Sequence, residues 1–154
     1  MRLRILAVGT RMPAWVETGF AEYLKRMPPE IRVELQEIAP GPRGKGQSVE
    51  RAIQKESDAL LKAVGNDRVV ALEVKGGAWS TPKLAQRLQD WQLSGDNWSL
   101  LIGGPDGLSG DCRARADMQW SLSPLTLPHP LVRIMVMEQL YRAWSINAGH
   151  PYHR

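Results

Sequence analysis

The sequence predicts an α/β domain with a mainly parallel sheet and helices on both of its faces. Short apolar or alternating segments typical of strands alternate along the chain with longer segments of helical periodicity. Two of the strand segments, residues 68–74 and 98–104, are almost continuously apolar, as in strands covered on both faces. The chain has 154 residues and contains no internal repeat, low-complexity stretch or linker. These features predict one domain over residues 1–154.

Five strands are predicted, in chain order at residues 2–9, 31–38, 68–74, 98–104 and 118–123. The first ends at a glycine turn, and the second alternates apolar and polar residues as a half-buried strand does. Glycine-rich loops follow the third and fourth strands, KGGAWS at residues 75–80 and IGGPDG at residues 102–107. Ligands bind at the carboxyl ends of parallel strands, where glycine allows close approach to the backbone. Both loops are therefore candidate binding loops, although ordinary turns have the same composition.

Four main helices are predicted at residues 15–27, 49–64, 81–93 and 131–147, and a short helical stretch precedes the fifth strand. Pro28-Pro29 stops the first helix. Ser48 ends a Gly/Pro-rich loop with Arg43 and Lys45, and it can cap the second helix. Gly65-Asn66-Asp67 breaks the second helix, and Thr81-Pro82 is typical of the start of the third.

The last predicted helix is apolar almost all the way round. Its polar strip consists of Glu138, Arg142 and Ser145, with Arg133 pointing elsewhere near the start. Glu138 and Arg142 are four residues apart, so they can pair on the helix surface. A surface helix needs only one apolar stripe, so this one is expected to be covered on both sides. We expect a second subunit to provide the second cover, and burial within one chain is the alternative.

Composition limits the class of protein and its compartment. The single cysteine, Cys112, excludes an intrachain disulfide and fits a reducing compartment. The N-terminal apolar run is too short for a signal peptide, and no segment approaches the length of a membrane span. We therefore expect a soluble cytoplasmic protein with no membrane partner. Five arginines but only two acids follow Cys112, which indicates an anionic partner such as RNA or a nucleotide. A charge that serves solubility alone is the alternative.

All three histidines, His129, His150 and His153, lie near the end of the chain, where Arg142 and Arg154 accompany them. This distribution predicts a site assembled at the C-terminus. A metal site is not expected, because there is no second cysteine and little carboxylate nearby. The sequence has no GxGxxG, Walker A or GxSxG motif, which argues against a phosphate cradle and a nucleophile elbow. A Ser/His/Asp triad stays open at this point.

Three segments carry a resemblance to a known family: LLIGGPDGLS, SLSPLTLPHPLVRIMVMEQLYRAWSI and HPYHR. They resemble the ribosomal large-subunit pseudouridine methyltransferase H family. This family is a branch of the SPOUT (α/β-knot) RNA methyltransferases, which use S-adenosylmethionine. RILAVGTRMPAWVETGFAEYLKR extends the likeness over essentially the whole chain.

The resemblance implies a C-terminal trefoil knot and an obligate homodimer. It also implies that the protein methylates N3 of a pseudouridine in helix 69 of 23S rRNA, within the assembled ribosome and not on DNA. Because the chain has little extra length for reading an RNA sequence, we expect the shape of the ribosome to provide the site specificity.

The resemblance also assigns roles to individual residues. Contacts to S-adenosylmethionine are implied for three loops, at Leu72, Gly103, Gly104, Leu122, Ser123, Pro124, Leu125, Thr126 and Leu127. Strand-end packing is the structural alternative for Leu72 and Leu122. The cofactor has no phosphate, which agrees with the lack of a phosphate motif.

The catalytic roles fall on the C-terminal segment. His153 and Tyr152 are expected to contact the base, with His153 as the proton acceptor. Arg154 and Arg142 are expected to bind phosphate or to stabilise the anionic base, and His129 to shape the pocket. Two further residues in this segment are expected only to orient their neighbours: Glu138 orients Arg142, and His150 positions the tail.

Two alternatives from other functional classes stay open. The first is a non-catalytic protein that binds the ribosome or RNA through the same basic face. The second is another small α/β enzyme, such as a nucleotide-binding hydrolase. A further hypothesis concerns the dimer: the C-terminal tail leaves the last helix near the expected interface, so it completes the pocket of the partner.

Overall fold

The computed structural model describes residues 1–153, in which five strands form one sheet. The strands are β1 (Arg2–Val8), β2 (Arg32–Ile38), β3 (Arg68–Ala78), β4 (Trp98–Ile102) and β5 (Met118–Ser121). The helices are α1 (Ala14–Leu24), α2 (Val49–Val64), α3 (Thr81–Ser94), α4 (Gly110–Arg115) and α5 (His129–Ala148), and a 3-10 turn follows at Pro151–His153. The sheet order is β2-β1-β4-β3-β5, and each pairing is parallel. The predicted parallel α/β architecture is confirmed.

Helices cover both faces of the sheet, as predicted. Alternate residues of a strand point to opposite faces, and β1 shows this directly. Leu3 and Ile5 pack with side chains of α1, α3 and α5, whereas Leu6 and Val8 pack with side chains of α2 and α4. The sheet is therefore the central layer, and its carboxyl edge lies open between the two helical layers.

The structure corrects the prediction for residues 75–78, which continue β3 instead of forming a loop. The register between β3 and β5 shifts between Leu72 and Gly77, after which Gly77 pairs with Trp120. Gly76 lies so close to β5 that a Cβ there would stand 2.8 Å from the backbone carbon of Gln119. The glycines therefore allow a bulge and a close strand approach, which a loop-like composition does not distinguish from a turn.

Other boundaries move by a few residues. The strands β4 and β5 end at Ile102 and Ser121, before the glycine and serine-proline segments that the prediction had included. Helix α5 is longer than predicted and begins at His129, with a proline in its first turn. It ends at Gly149, whose φ of 70° is the left-handed conformation common after helices.

Two further points concern the fold as a whole. Within residues 1–153, no helix combines the length and apolar character needed to cross a membrane. The trefoil knot stays a prediction, because strand order and register do not define how the chain is threaded.

Candidate active site

A cleft of about 310 Å³ lies at the carboxyl edge of the sheet. Its size falls in the ordinary range for small-molecule sites. The walls come from β3, from the glycine-rich turn after β4 and from the segment between β5 and α5. The lining residues are Leu72, Glu73, Val74, Ile102, Gly103, Gly104, Pro105, Gly107, Leu108, Trp120, Leu122, Ser123, Leu125, Thr126, Leu127, Pro128, His129 and Val132.

The cleft contains most residues for which the resemblance implies cofactor contacts. Of that group only Pro124, which is exposed, does not line it. The sequence analysis did not identify Trp120 or Glu73 as part of the site. Both lie next to residues it did identify, Leu122 and Leu72, so proximity along the chain was the available signal.

The turn after β4 is tight because it consists largely of glycine. A Cβ on Gly103 would stand 2.6 Å from the backbone carbon of Gly107, and one on Gly104 would stand 2.9 Å from Cγ1 of Val8. Gly107 has a φ of 79° and donates its N–H to the carbonyl oxygen of Gly104 at 3.0 Å. Side chains are thus excluded here, and the backbone itself forms the wall of the cleft.

The segment before α5 is held by one serine pair. The hydroxyl of Ser121 donates to the carbonyl of Ser123 at 3.0 Å, and the Ser123 hydroxyl accepts from the backbone N–H of Leu125 at 3.0 Å. The Leu125 side chain is 70% exposed, which leaves an apolar surface at the mouth of the cleft.

His129 is the first residue of α5 and contributes the imidazole that lines the cleft. Burial lowers its pKa below the ordinary value of 6.5, and the positive charge of Arg133 lowers it further. Its Nδ1 atom is buried and has no hydrogen-bond partner among residues 1–153. The lowered pKa therefore favours a neutral imidazole in the wall of the cleft.

Arg133 anchors the start of α5 to the ends of two strands. Its buried guanidinium donates to the carbonyl of Gly9 at 2.8 Å and to Glu37 Oε2 at 2.6 Å. Gly9, with a φ of 127°, lies so near that a Cβ would stand 3.1 Å from both Arg133 Nη2 and His129 Cε1. Arg133 thus fixes the position of His129, a role that the sequence analysis did not identify. An arginine in an otherwise apolar helix turn was the available signal.

The C-terminal tail folds back onto α5. The Tyr152 hydroxyl donates to Glu138 Oε1 at 3.2 Å, and the Tyr152 ring lies 4.6 Å from the ring of Tyr141. The guanidinium of Arg142 lies 4.9 Å from the centre of the Tyr152 ring. Arg142 Nε donates to Glu138 Oε1 at 2.8 Å, so the pair expected from the i, i+4 spacing is present.

The environment of the tail keeps the phenol of Tyr152 protonated. Burial, the neighbouring hydroxyl of Tyr23 and the charge of Glu138 together raise the pKa of Tyr152 to about 12. His150 Nδ1 accepts from the backbone N–H of Tyr152 at 3.2 Å, so its imidazole contacts the tail backbone. His153 is exposed, and Arg154 lies outside the described residues.

The residues predicted for one site therefore form two groups in a single chain. His129 and the candidate cofactor residues share the cleft, whereas Tyr152 and Arg142 meet further along α5, around Glu138. Glu138 lies nine positions after His129, which corresponds to about 14 Å along the helix. No residue of the described tail, up to His153, lines the cleft. Within residues 1–153, no three His, Cys, Asp or Glu side chains are grouped as they would be to hold a metal ion.

Solved structures with a similar fold are methyltransferases by name. A probable methylase family protein from Haemophilus influenzae Rd KW20 is 10% identical and has a TM-score of 0.61, over 99% of this chain and 70% of that chain. A probable methyltransferase from Bordetella pertussis Tohama I is 14% identical, with a TM-score of 0.58 over 92% of this chain and 95% of that chain. The tRNA (m1G37) methyltransferase from Aquifex aeolicus is 18% identical, with a TM-score of 0.55 over 92% of this chain and 70% of that chain.

These identities are low, so the three structures support the fold alone. The family model described as "Predicted SPOUT methyltransferase" matches residues 1–153, nearly the whole chain. With the parallel sheet and the cleft at its carboxyl edge, this match shows that the chain belongs to the SPOUT methyltransferase family.

Proposed function

We propose that this protein transfers a methyl group from S-adenosylmethionine to N3 of a pseudouridine in helix 69 of 23S rRNA, within the assembled ribosome. The observation that carries the proposal is the charge of the cleft. Among its lining residues Glu73 is the only charged one, and no lysine or arginine is present. Cofactors that carry phosphates are commonly bound by lysine or arginine, whereas S-adenosylmethionine has a positive sulfonium and no phosphate.

The remaining features of the cleft fit the same cofactor. The exposed Leu125 and the half-buried Leu72 offer apolar surface to an adenine ring. The glycine turn offers backbone groups to polar atoms. The imidazole of His129, whose pKa is lowered, adds a neutral group to the wall. Most of the recognition would thus come from backbone and neutral groups.

The bound cofactor supplies an electrophilic methyl group, and the protein must then manage the proton on N3. The bond from sulfur to the methyl carbon breaks, the bond from N3 to that carbon forms, and the N3 proton leaves. We assign His153 as the proton acceptor, because an exposed imidazole can reach a base that enters from solvent. The Tyr152 hydroxyl, with its raised pKa, is a hydrogen-bond donor and not a base. Arg142, and Arg154 outside the described residues, would stabilise the developing anion.

A homodimer would join the two groups of site residues. One face of α5 is only half-buried in the single chain, at Leu131, Ile134 and Met135. Ile134 packs on α1 at Gly19, and one turn earlier on α1 the side chain of Trp15 is 61% exposed. A second copy packed on this apolar face would cover α5 as the sequence predicts. It would also bring the tail of one protomer near the cleft of its partner.

The central test combines cofactor binding with methyl transfer. Isothermal titration should detect S-adenosylmethionine binding, and labelled methyl should pass to ribosomes that lack this modification but poorly to free helix 69 RNA. Absence of both binding and transfer would remove the methyltransferase proposal. Ribosome binding without either would favour the non-catalytic alternative.

A substitution at Leu125 tests the role of charge in the cleft. We expect Leu125→Lys to weaken S-adenosylmethionine binding at least tenfold, because the new ammonium faces a cationic ligand in a partly desolvated site. Leu93→Lys is the matched control, since Leu93 is 80% exposed on α3 and does not line the cleft. Equal affinities of the two variants would contradict the assignment of this cleft to the sulfonium cofactor.

A further inference from the structure

Arg43 links the cleft to a loop on the far side of β1. It lies in the loop between β2 and α2, and its guanidinium contacts two carboxylates. Nη2 donates to Glu56 Oε1 at 3.2 Å, Nη1 donates to Glu56 Oε2, and Nε donates to Asp106 Oδ2 at 2.8 Å. Glu56 belongs to α2, and Asp106 to the glycine turn after β4. The three side chains form what we call the Arg43 clasp.

The clasp crosses the carboxyl end of β1. Because β2, β1 and β4 are neighbours in the sheet, a side chain that joins the loops after β2 and β4 must pass over the strand between them. Asp106 lies between Gly104 and Gly107, which form a wall of the cleft. A Cβ on Gly104 would stand 3.6 Å from Glu56 Oε1, so Glu56 lies directly behind that wall.

One end of the clasp is fixed in the core. Glu56 is 2% exposed and also accepts the backbone N–H of Gly41 at 2.8 Å. Gly41 is pressed against α2, where a Cβ would stand 2.3 Å from the carbonyl oxygen of Ala52. The carboxylates of Glu56 and Asp106 raise the pKa of Arg43, which stays charged. Arg43 therefore projects from a rigid base.

The other end of the clasp is exposed. The Asp106 side chain is more than one-third exposed, and a pair of this kind contributes little to overall stability. The Arg43–Asp106 pair is distinguished by its position in the fold. It is a contact from the rigid base to the glycine turn, in which Gly103, Gly104 and Gly107 have no side chains to hold the backbone in place.

We propose that Arg43 is a positioning residue for the methyl donor. By bonding Asp106 from its base on Glu56, it holds the 104–107 turn at the distance from the 122–127 segment that the donor requires. The inference rests on the proposed function, because it takes S-adenosylmethionine as the ligand of the cleft. The turn is thus already ordered in the free protein, so donor binding does not lose the entropy that ordering the turn would require.

Asp106→Asn is the sharpest test, because it removes the charge of the exposed partner and leaves the buried Glu56 paired. We expect about fivefold weaker S-adenosylmethionine binding, with the KM for ribosomes, kcat at saturating donor and Tm nearly unchanged. We also expect faster amide hydrogen exchange in residues 103–108 of the free variant. Asp96→Asn is the matched control, since Asp96 is an exposed loop aspartate paired with Arg68, outside the cleft.

A second pair of variants guards against misfolding. Arg43→Met alone leaves the buried Glu56 carboxylate without its counter-charge. The variant R43M is therefore compared with the double variant R43M/E56Q. The double variant should regain stability but still bind the donor weakly. If the role of the clasp were purely structural, the double variant would regain both stability and donor binding. A wild-type affinity or unchanged hydrogen exchange in D106N, with wild-type protein that binds the donor, overturns the role of Arg43 alone. Failure of the wild-type protein to bind the donor overturns the proposed function, and the donor role of Arg43 with it.

Discussion

His129 is the residue at which burial, charge and ligand binding meet. It lies on the cleft wall at the start of α5, and Arg133 fixes the chain around it through Gly9. Burial and the charge of Arg133 lower its pKa, the charge of Glu56 raises it, and that of Arg43 lowers it again. The net direction is downward, so the imidazole is neutral at pH 7.

This direction predicts how donor binding depends on pH. The lowered pKa means that protonation occurs only below the ordinary value of 6.5. Affinity for S-adenosylmethionine should therefore be flat from about pH 7 to 8. It should fall as the pH drops below 6.5 and through the lowered pKa, because the protonated ring repels the sulfonium.

Titration calorimetry across this pH range measures the effect, with His129→Asn as the control. An Asn side chain is also polar but does not titrate. The decline at low pH should therefore be absent in that variant. A decline of equal size in both proteins would place the titrating group elsewhere.

The residues of the cleft differ in how far the sequence could reveal them. Gly103 and Gly104 follow the end of β4, where periodicity and glycine content already indicated a binding loop, whereas Leu72 lies within β3 and was assigned through the family resemblance. The Arg43 clasp gave no such signal. Its pairs join residues 13 and 63 positions apart, and nothing local in the chain brings these side chains together.

At the scale of elements, the two edges of the sheet are held by different means. The carboxyl edge carries glycine turns and the cleft. The amino edge carries a buried ion cluster that joins β1, β4 and the end of α2. Asp67 accepts from Arg4 Nη2 at 3.0 Å and from the Ser99 hydroxyl at 2.8 Å, and it also pairs with Arg2. Stability and binding are thus assigned to opposite edges.

Asp67→Asn should separate these two functions. Burial opposes the charge of Asp67, but the hydrogen bonds from Ser99 and Arg4 and the charges of Arg4 and Arg2 outweigh it, and the pKa is lowered. The variant leaves the partly buried arginines without a counter-charge, so we expect the free energy of unfolding to fall by about 3 kcal/mol. Donor affinity of the folded variant should not change.

Urea denaturation at several pH values measures this contribution. Because the folded pKa lies below the unfolded one, the stabilisation should be complete above about pH 5 and should decline as the pH falls through the lowered value. The difference between wild type and D67N should shrink over the same range. Asp96→Asn, which changes an exposed aspartate in the loop before β4, should show no comparable loss.

The order of the helices and strands was predictable because each has its own sequence signal, either the spacing of its apolar residues or the glycine and proline residues at its ends. The length of β3 was not, because Gly76 and Gly77 look like a turn until β5 is beside them. Bulges depend on the neighbouring strand, and that neighbour comes from a segment more than forty residues later.

For the whole molecule, the main consequence is that one chain separates its cleft from its tail. The apolar character of α5 predicts a second cover, and within one protomer the sheet, α1 and α3 cover it but leave Leu131 and Met135 half-buried. No local pattern specifies which protomer receives the tail, nor whether the chain is knotted. Both are properties of the path of the complete chain: the family resemblance predicted the knot, and the position of the tail at the expected dimer interface led to the hypothesis of a shared pocket.

A mixed dimer decides between the two arrangements of the tail. One protomer carries Tyr152→Phe and His153→Ala, and the other carries Leu125→Lys, so each homodimer should be nearly inactive when the donor concentration lies well below the dissociation constant of the wild type. If the tail serves the partner, a mixed dimer pairs the intact cleft of the first with the intact tail of the second, and one site in two works. Random mixing makes about half of the dimers mixed, which gives about a quarter of wild-type activity. If each tail serves its own cleft, every site in the mixed dimer keeps one defect and activity stays at the level of the homodimers. Native mass spectrometry should show the mixed dimer in the same samples, since a monomer in solution would exclude the shared site.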